Sequence, residues 1–382
     1  MLWIATIPLA CILAGSWVYC VLTVIAARRY LRVKPEPLRE AEPVSVLKPL
    51  HGLDEGLEEN LRSFFEQDYP KFELLFAARE AFDPALALVE RLRLEYPGVA
   101  VRTFAVGEPP YANAKVWSLQ VMMQEAAHDL LVMSDSDIRA ARGTLGVIAA
   151  EFQDASLGVA TCPYRAAPGS SFWSTLEAIG MNTEFWGGAL AARLVEGGVK
   201  FAVGPTIAAR RRVIEEIGGW ERLSEYLAED FVMGQFAAER GHGVILSSCI
   251  VEHRIGSQPM RANFAHRLRW SRSTRRSRPA GYAGQVFTNP LPVALALAVV
   301  MPAWWPAAAM TLIPRAWAAA AVSSGVLNDP LCRRRWYLVP IQDLLSFAFW
   351  VAGFFGRTIV WRGRRYRLEA DGRFHRLKDR DA

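Results

Sequence analysis

Between residue 44 and about residue 279, short apolar runs alternate with amphipathic stretches, and this alternation limits the fold more than any other feature of the chain. Residues 44–50 (VSVLKPL), 72–78 (FELLFAA), 99–106 and 129–134 read as strands. Residues 55–66, 84–95 and 115–127 carry apolar side chains at helical spacing, and the second of these opens on a proline suited to a first helical turn. Repeated βα units imply a parallel sheet with helices on its faces. In open sheets of this kind ligands bind outside the carboxyl ends of the strands. No GxGxxG follows the first strand and no GxxxxGK[ST] occurs, so the common phosphate-cradling loops are absent from the sequence.

The rest of the chain is different in character. Apolar residues make up 52% of its 382 positions, and they concentrate at the two ends. Residues 1–27 read as a helix long enough for a hydrocarbon core of roughly 30 Å, closed by Arg28 and Arg29. No basic segment precedes that run and the positive pair follows it, which favours a retained anchor over a cleaved signal peptide. Residues 286–326, interrupted by Pro302, Pro306 and Pro314, and residues 336–361 are too long and too apolar for surface helices. The positive-inside rule puts Arg28, Arg29, the 333–335 arginines and the basic run at 361–365 on the cytosolic side. An even number of crossings must then follow the middle domain, so one apolar piece is expected to be re-entrant. Asp343, inside the last piece, reads either as a functional carboxylate or as a helix cap at the interface.

The expected plan is an anchor at 1–27, a basic and polar linker at 28–43, and a cytosolic α/β catalytic domain at 44–283 ending in a basic interfacial helix. C-terminal membrane segments at 284–361 and a cytosolic basic tail at 362–382 complete it. The net charge of +6 clusters beside the apolar spans, which suits an anionic membrane surface rather than nucleic acid. The five scattered cysteines include no CxxC pair, which argues against a zinc ribbon or disulfide framework and suits a cytosol-facing domain.

Three constellations carry chemistry. Asp135 and Asp137 stand one residue apart at the carboxyl end of an apolar strand, where their mutual repulsion calls for a neutralising cation. A hard divalent ion on one or two carboxylates commonly completes its shell with phosphate oxygens; the alternative is a pair of solvated turn residues. Glu80 follows the second strand at the same edge, with Asp83 close behind. Glu229 and Asp230 precede a helical pattern, where Asp230 serves equally well as an N-cap or as a general base. Finally, His266, Arg269 and Trp270 lie in an arginine-rich segment that suits either a helix on anionic lipid or a diphosphate clamp of planar donors beside an apolar wall. His253 reads as a structural histidine, with a third metal ligand as the alternative.

Taken in order, residues 47–52 (LKPLHG), 67–70 (QDYP), 113–116 (NAKV), 135–139 (DSDIR), 228–231 (AEDF), 269–270 (RW) and 361–368 (WRGRRYRL) resemble the ceramide glucosyltransferases and their bacterial relatives, the hopanoid-modifying glycosyltransferases among them. The resemblance runs from about residue 44 to 368. It implies a GT-A catalytic fold, Rossmann-like, on the cytosolic face of a membrane, inner in a bacterium, and inverting transfer of one sugar from a UDP-sugar with Mg²⁺ or Mn²⁺. The leading expectation is glucose from UDP-glucose onto ceramide. A hopanoid or other lipid acceptor, or another UDP-sugar such as UDP-N-acetylglucosamine, is the close alternative. By the same resemblance Asp135 and Asp137 match the metal–diphosphate motif, Asp230 the base that deprotonates the lipid hydroxyl, and Arg269 and Trp270 the end of the (Q/R)xxRW motif. Lys115 falls in a segment expected to contact the donor. Two positions depart from the pattern: Glu80 stands where the family has its first aspartate, with Asp83 as a substitute, and His266 stands where it has Gln or Arg. A processive polysaccharide synthase, a metal-dependent nucleotidyltransferase making an activated lipid, and a non-catalytic membrane scaffold are the other readings, and no protein partner is implied.

Overall fold

The computed structural model describes residues 2–34, 37–361 and 363–377. Met1 of the expected anchor, Arg362 of the C-terminal basic run and positions 378–382 of the tail lie outside the described residues. The chain forms two compact units: an α/β unit of Lys34–Tyr164, Gly198–Gly256 and the segment from Trp361 onward, and a helical unit of the remainder.

The α/β unit is built on a seven-stranded sheet. Its strands are β1 (Val44–Pro49), β2 (Phe72–Ala78), β3 (Ala100–Ala105), β4 (Leu130–Ser134), β5 (Leu157–Thr161), β6 (Thr206–Arg210) and β7 (Gly243–Leu246), in the spatial order β3-β2-β1-β4-β6-β5-β7. The helices Leu57–Phe65, Pro84–Glu95 and Ala114–Glu125 connect the first four strands, which all run parallel. β1 and β4 are buried along almost their whole length, which is why VSVL and LLVM read as continuous apolar runs rather than alternating ones. The chain leaves β1 toward β2 and β3 on one side, then returns to place β4 on the other. The crevice at the carboxyl ends of β1 and β4 is therefore the switch point where a ligand site is expected.

The sheet is not wholly parallel. β6 runs antiparallel to both β4 and β5. The reversal has a consequence at the crevice: Thr206, at the start of β6, pairs with Ser134, at the end of β4, so the residues preceding β6 arrive beside Asp135. Asp135 N–H donates to the Pro205 carbonyl at 3.0 Å.

The helical unit contains Leu2–Tyr30, Phe172–Gly180 and Trp186–Val195 with a π-helical turn between them, Met260–Ser277, Pro290–Val300, Trp305–Ala320 and Val339–Gly353. Thr6–Tyr30 is long and apolar enough to cross a membrane, with a mean hydropathy of 2.2. Pro279–Phe287 and Pro290–Val300 pass the same test only as a pair, bent by 59°. Leu13, Val293, Ala294, Leu297 and Ala308 form one core, and Leu176, Ile179, Ala319, Leu338 and Val339 form another. Asp343 does not cap a helix. It lies within Val339–Gly353 and accepts two hydrogen bonds from Arg315, at 2.7 and 2.8 Å, while Arg315 also reaches Thr183 at 3.2 Å.

Candidate active site

Five elements of the α/β unit converge at the carboxyl edge of β1 and β4. Lys48, near the end of β1, is fully buried, with its ammonium 3.8 Å from the Phe64 ring centroid. It donates to the Asp135 carbonyl at 2.8 Å and the Ser134 hydroxyl at 3.3 Å. Burial pulls its pKa down to about 7, against the opposing pull of Asp135 and Asp137. Lys48 thus fixes the backbone of the aspartate turn from below. Its role was not legible from the motif that contains it, although a lysine near the end of a buried strand was the available signal.

The two aspartates are differently partnered. The Asp135 carboxylate lies 2.8 Å from Lys115 Nζ, and Lys115 in turn lies 3.3 Å from Glu229. The Asp137 carboxylate meets His253 Nε2 at 3.0 Å, because Ile138 and Arg139 pair antiparallel with His253 and Glu252 on the strand Val251–Gly256. Burial raises the pKa of Asp135, with Asp137 adding to the rise and Lys115 opposing it. At Asp137 burial acts in the same sense, but the His253 charge and hydrogen bond outweigh it and hold the carboxyl below its usual range. Environment thus pushes the two neighbouring groups apart. His253 orients Asp137.

Both carboxylates are ion-paired, with side chains 32% and 34% exposed. Asp137 Oδ1 is buried and accepts no hydrogen bond among the described residues, so one hard oxygen remains open beside a second carboxylate. Among the described residues no three His, Cys, Asp or Glu side chains are grouped to hold a metal. Two carboxylate oxygens suit a divalent cation that takes its other ligands from water and substrate phosphate.

Glu229 and Asp230 occupy the first turn of the helix Glu229–Glu239, whose N-cap is Ala228. Asp230 is therefore past the cap position, and its Oδ2 accepts instead from Gly204 N–H at 2.6 Å. Two glycines make this approach possible. A Cβ on Gly204 would sit 2.8 Å from Asp230 Oδ2, and one on Gly234 would sit 2.3 Å from the backbone at Phe201 and Ala202. Burial, reinforced by Glu229 and opposed by Lys115 and two backbone N–H groups, raises the Asp230 pKa to about 6. Glu229 is held by Asn113, whose Nδ2 lies 3.0 Å from it and 3.2 Å from the Tyr226 carbonyl. Asn113 also caps the helix that carries Lys115.

Asp83 and Glu80 separate cleanly. Asp83 caps the helix Pro84–Glu95 through Ala85 N–H at 2.9 Å and ties down Gly52 N–H at 3.0 Å. Glu80 is exposed two residues past β2. His266, Arg269 and Trp270 belong to the helical unit, on Met260–Ser277. There His266 meets the buried Glu177 at 2.9 Å, and the Trp270 ring lies 5.1 Å from the imidazole and 6.4 Å from Phe185. Neighbouring arginines are bound to protein: Arg267 reaches Gln342 and Ser346, Arg272 the Phe355 and Thr358 carbonyls, and Arg275 those of Phe354 and Gly356.

A parallel-rich sheet with paired aspartates at its switch point defines an α/β glycosyltransferase fold. The chain is similar in fold to a mannosyltransferase from Pyrobaculum calidifontis, solved in complex with GDP-Man and Mn²⁺: the TM-score is 0.56 at 20% identity, over 93% of this chain and 98% of that one. The chain belongs to glycosyl transferase family 21, whose model matches residues 8–374. Ceramide glucosyltransferase 1 of Caenorhabditis elegans is 30% identical over 225 residues, 58% of this chain and 47% of that protein. Ceramide glucosyltransferase of Komagataella phaffii is 32% identical over 122 residues, 31% of this chain and 23% of that protein. The resemblance read from the motifs is borne out at the level of family. The chain spans less than half the length of both curated relatives.

Proposed function

We propose that this protein is an integral membrane enzyme that transfers one sugar, glucose from UDP-glucose, to the hydroxyl of ceramide, with inversion. The observation that carries the reading is the linked set Asp135–Lys115–Glu229–Asp230 at the switch point: one lysine joins the paired-aspartate turn to a carboxyl pair in which the Asp230 pKa is raised. In this reading Asp230 takes the proton of the acceptor hydroxyl. The acceptor oxygen bonds to the anomeric carbon while the bond from that carbon to the diphosphate breaks, and UDP departs. A single displacement of this kind gives a β-glycoside from an α-linked donor.

Asp135 and Asp137 would hold Mg²⁺ or Mn²⁺, and the ion, when bound, would neutralise charge on the diphosphate. His253 keeps Asp137 ionised and Lys48 holds the turn that presents both carboxylates. Lys115, its own charge maintained by Asp135, Glu229 and Asp230, lies where it would meet the donor. Glu80, not Asp83, is the residue free to contact the nucleotide. Arg269 and Trp270 are assigned to the leaving diphosphate on the strength of the motif, with His266 positioned by Glu177.

The N-terminal helix Thr6–Tyr30 supports the membrane assignment, and the bent pair at 279–300 suits a re-entrant piece among the C-terminal apolar segments. In this reading the catalytic unit lies on the cytosolic face, which the arginine pattern supports. The test is UDP release by the full chain in detergent with Mg²⁺ or Mn²⁺, across UDP-sugars, with ceramide or a hopanoid polyol. Release that requires ceramide, and disappears in Asp135→Ala and Asp230→Asn, is expected. Turnover only with the polyol or another sugar would keep the chemistry and replace the substrate. Absence of turnover with every pair would overturn the reading.

A further inference from the structure

The segment after the last helix returns to the α/β unit as a hairpin. Arg364–Leu368 pairs antiparallel with Phe374–Arg376, setting Tyr366 opposite Arg376 and Leu368 opposite Phe374. The rings of Trp361, Tyr366 and Phe374 cluster with centroids 5.2 to 6.3 Å apart, which gives the hairpin a small core of its own.

This hairpin grips two loops. Arg364 donates to Glu108 at 3.0 Å, and Arg79 approaches the other oxygen of Glu108 at 3.5 Å. Phe374 N–H donates to the Glu225 carbonyl at 3.0 Å, and Arg373 Nε lies 3.1 Å from the Glu225 carboxylate. Arg373 forms a β-bridge with Tyr226 and holds its guanidinium 5.8 Å from the tyrosine ring. The first loop, 106–113, leads into the helix of Lys115. The second, 224–228, leads into the helix of Glu229 and Asp230. Asn113 joins the two loops directly, through the Tyr226 carbonyl and Glu229.

We propose that residues 363–376 are a positioning clamp that sets the spacing between the helix bearing Lys115 and the helix bearing Asp230. The proposal rests on Asp230 being the base. Each exposed ion pair would contribute little alone. Here two such pairs and the β-bridge at Tyr226, of which the Phe374–Glu225 main-chain hydrogen bond is part, act on the same spacing. That spacing is read by Asn113, whose hydrogen bonds reach both loops, and by Lys115, whose ammonium reaches Glu229. Arg364 and Arg373 touch none of the reacting groups, so they are positioning residues.

The experiment uses the full chain in detergent and compares wild type, Arg364→Ala/Arg373→Ala, and the charge swap Glu225→Arg/Arg373→Glu. Two readouts are taken: amide hydrogen exchange over 107–116 and 224–232, and kcat with the donor KM. The double alanine variant should exchange faster in both segments and lose between about ten- and a hundredfold in kcat, with a smaller rise in the donor KM through Lys115. The swap, which rebuilds the 225–373 pair and keeps Arg364, should stay closer to wild type than the double alanine variant in both readouts. With Asn113→Ala added, the kcat losses should fall short of additive, because the clamp acts through that side chain. Unchanged exchange in both loops overturns the clamp, and so does faster exchange with wild-type kcat. If wild type turns over no acceptor, the proposed function fails, and the exchange data alone then decide whether the hairpin holds the two loops.

Discussion

Asp230 is positioned by backbone rather than by another side chain, and this decides how its replacement behaves. Asp230→Asn keeps the shape but cannot take a proton, so turnover should fall roughly 10²- to 10⁴-fold while UDP binding persists, as measured by initial rates and equilibrium titration. Wild-type turnover should rise with pH through about 6 and then level off, because the carboxylate is the working form. The stability effect has the opposite sense. A carboxyl whose folded pKa is about 6 and whose unfolded pKa is about 3.9 binds more protons folded than unfolded between those values, so the native state loses stability as pH rises through that window. Asp230→Asn should therefore raise the unfolding midpoint above pH 6, and that advantage should vanish near pH 4. Lys48 supplies a second test at this scale. Lys48→Met takes one donor from the Ser134 hydroxyl and the shorter of two from the Asp135 carbonyl, which keeps only Ile138 N–H at 3.3 Å, and loosens the aspartate turn. UDP-sugar affinity should fall in titration, with the acceptor KM little changed.

At the scale of elements, the helix Glu229–Glu239 depends on how closely it approaches the loop before β6. Gly234→Ala would force a methyl against the backbone at Phe201 and Ala202, a contact that only movement of helix or loop can relieve. Overpacking of this kind costs about 1–3 kcal/mol, and the movement should break the Gly204–Asp230 hydrogen bond. Both a lowered unfolding midpoint and a lower kcat are expected. The helix Pro84–Glu95 separates cap from ligand. Asp83→Ala should cost about 1 kcal/mol of stability by losing the cap. Glu80→Gln should leave stability untouched and raise the KM for the donor. The strands and helices of the first half were legible because period and punctuation agree there: the proline at position 84 opens its helix, and LLVM reads as a strand buried on both faces. The reversed direction of β6 was not legible. An antiparallel central strand carries the same apolar run as a parallel one, and only its neighbours fix its sense.

At the scale of the whole molecule, the helical unit buries Arg315 and Asp343 as a pair. Removing one member of the Arg315–Asp343 pair should be more damaging than removing both. Arg315→Met alone should cost about 3–5 kcal/mol by stranding a buried carboxylate, whereas Arg315→Met/Asp343→Leu should recover most of it, as read from thermal unfolding in detergent. Family, apolar ends and the paired aspartates were readable from the linear chain, since each rests on residue type and short spacing. Asp135 and Asp137 declare themselves because two like charges at the mouth of an apolar strand need an explanation wherever the strand lies. The partners of those groups were not readable. Lys48, Asn113, His253 and Gly204 come from four separate places in the chain, and their roles follow from which strand ends meet. The hairpin after Trp361, in sequence a basic run and a family motif with no assigned partner, became a part of the catalytic unit through pairing with Tyr226. Sequence fixes what each residue is able to do; long-range strand order and close backbone approach decide which of those capacities are brought within 3 Å of one another.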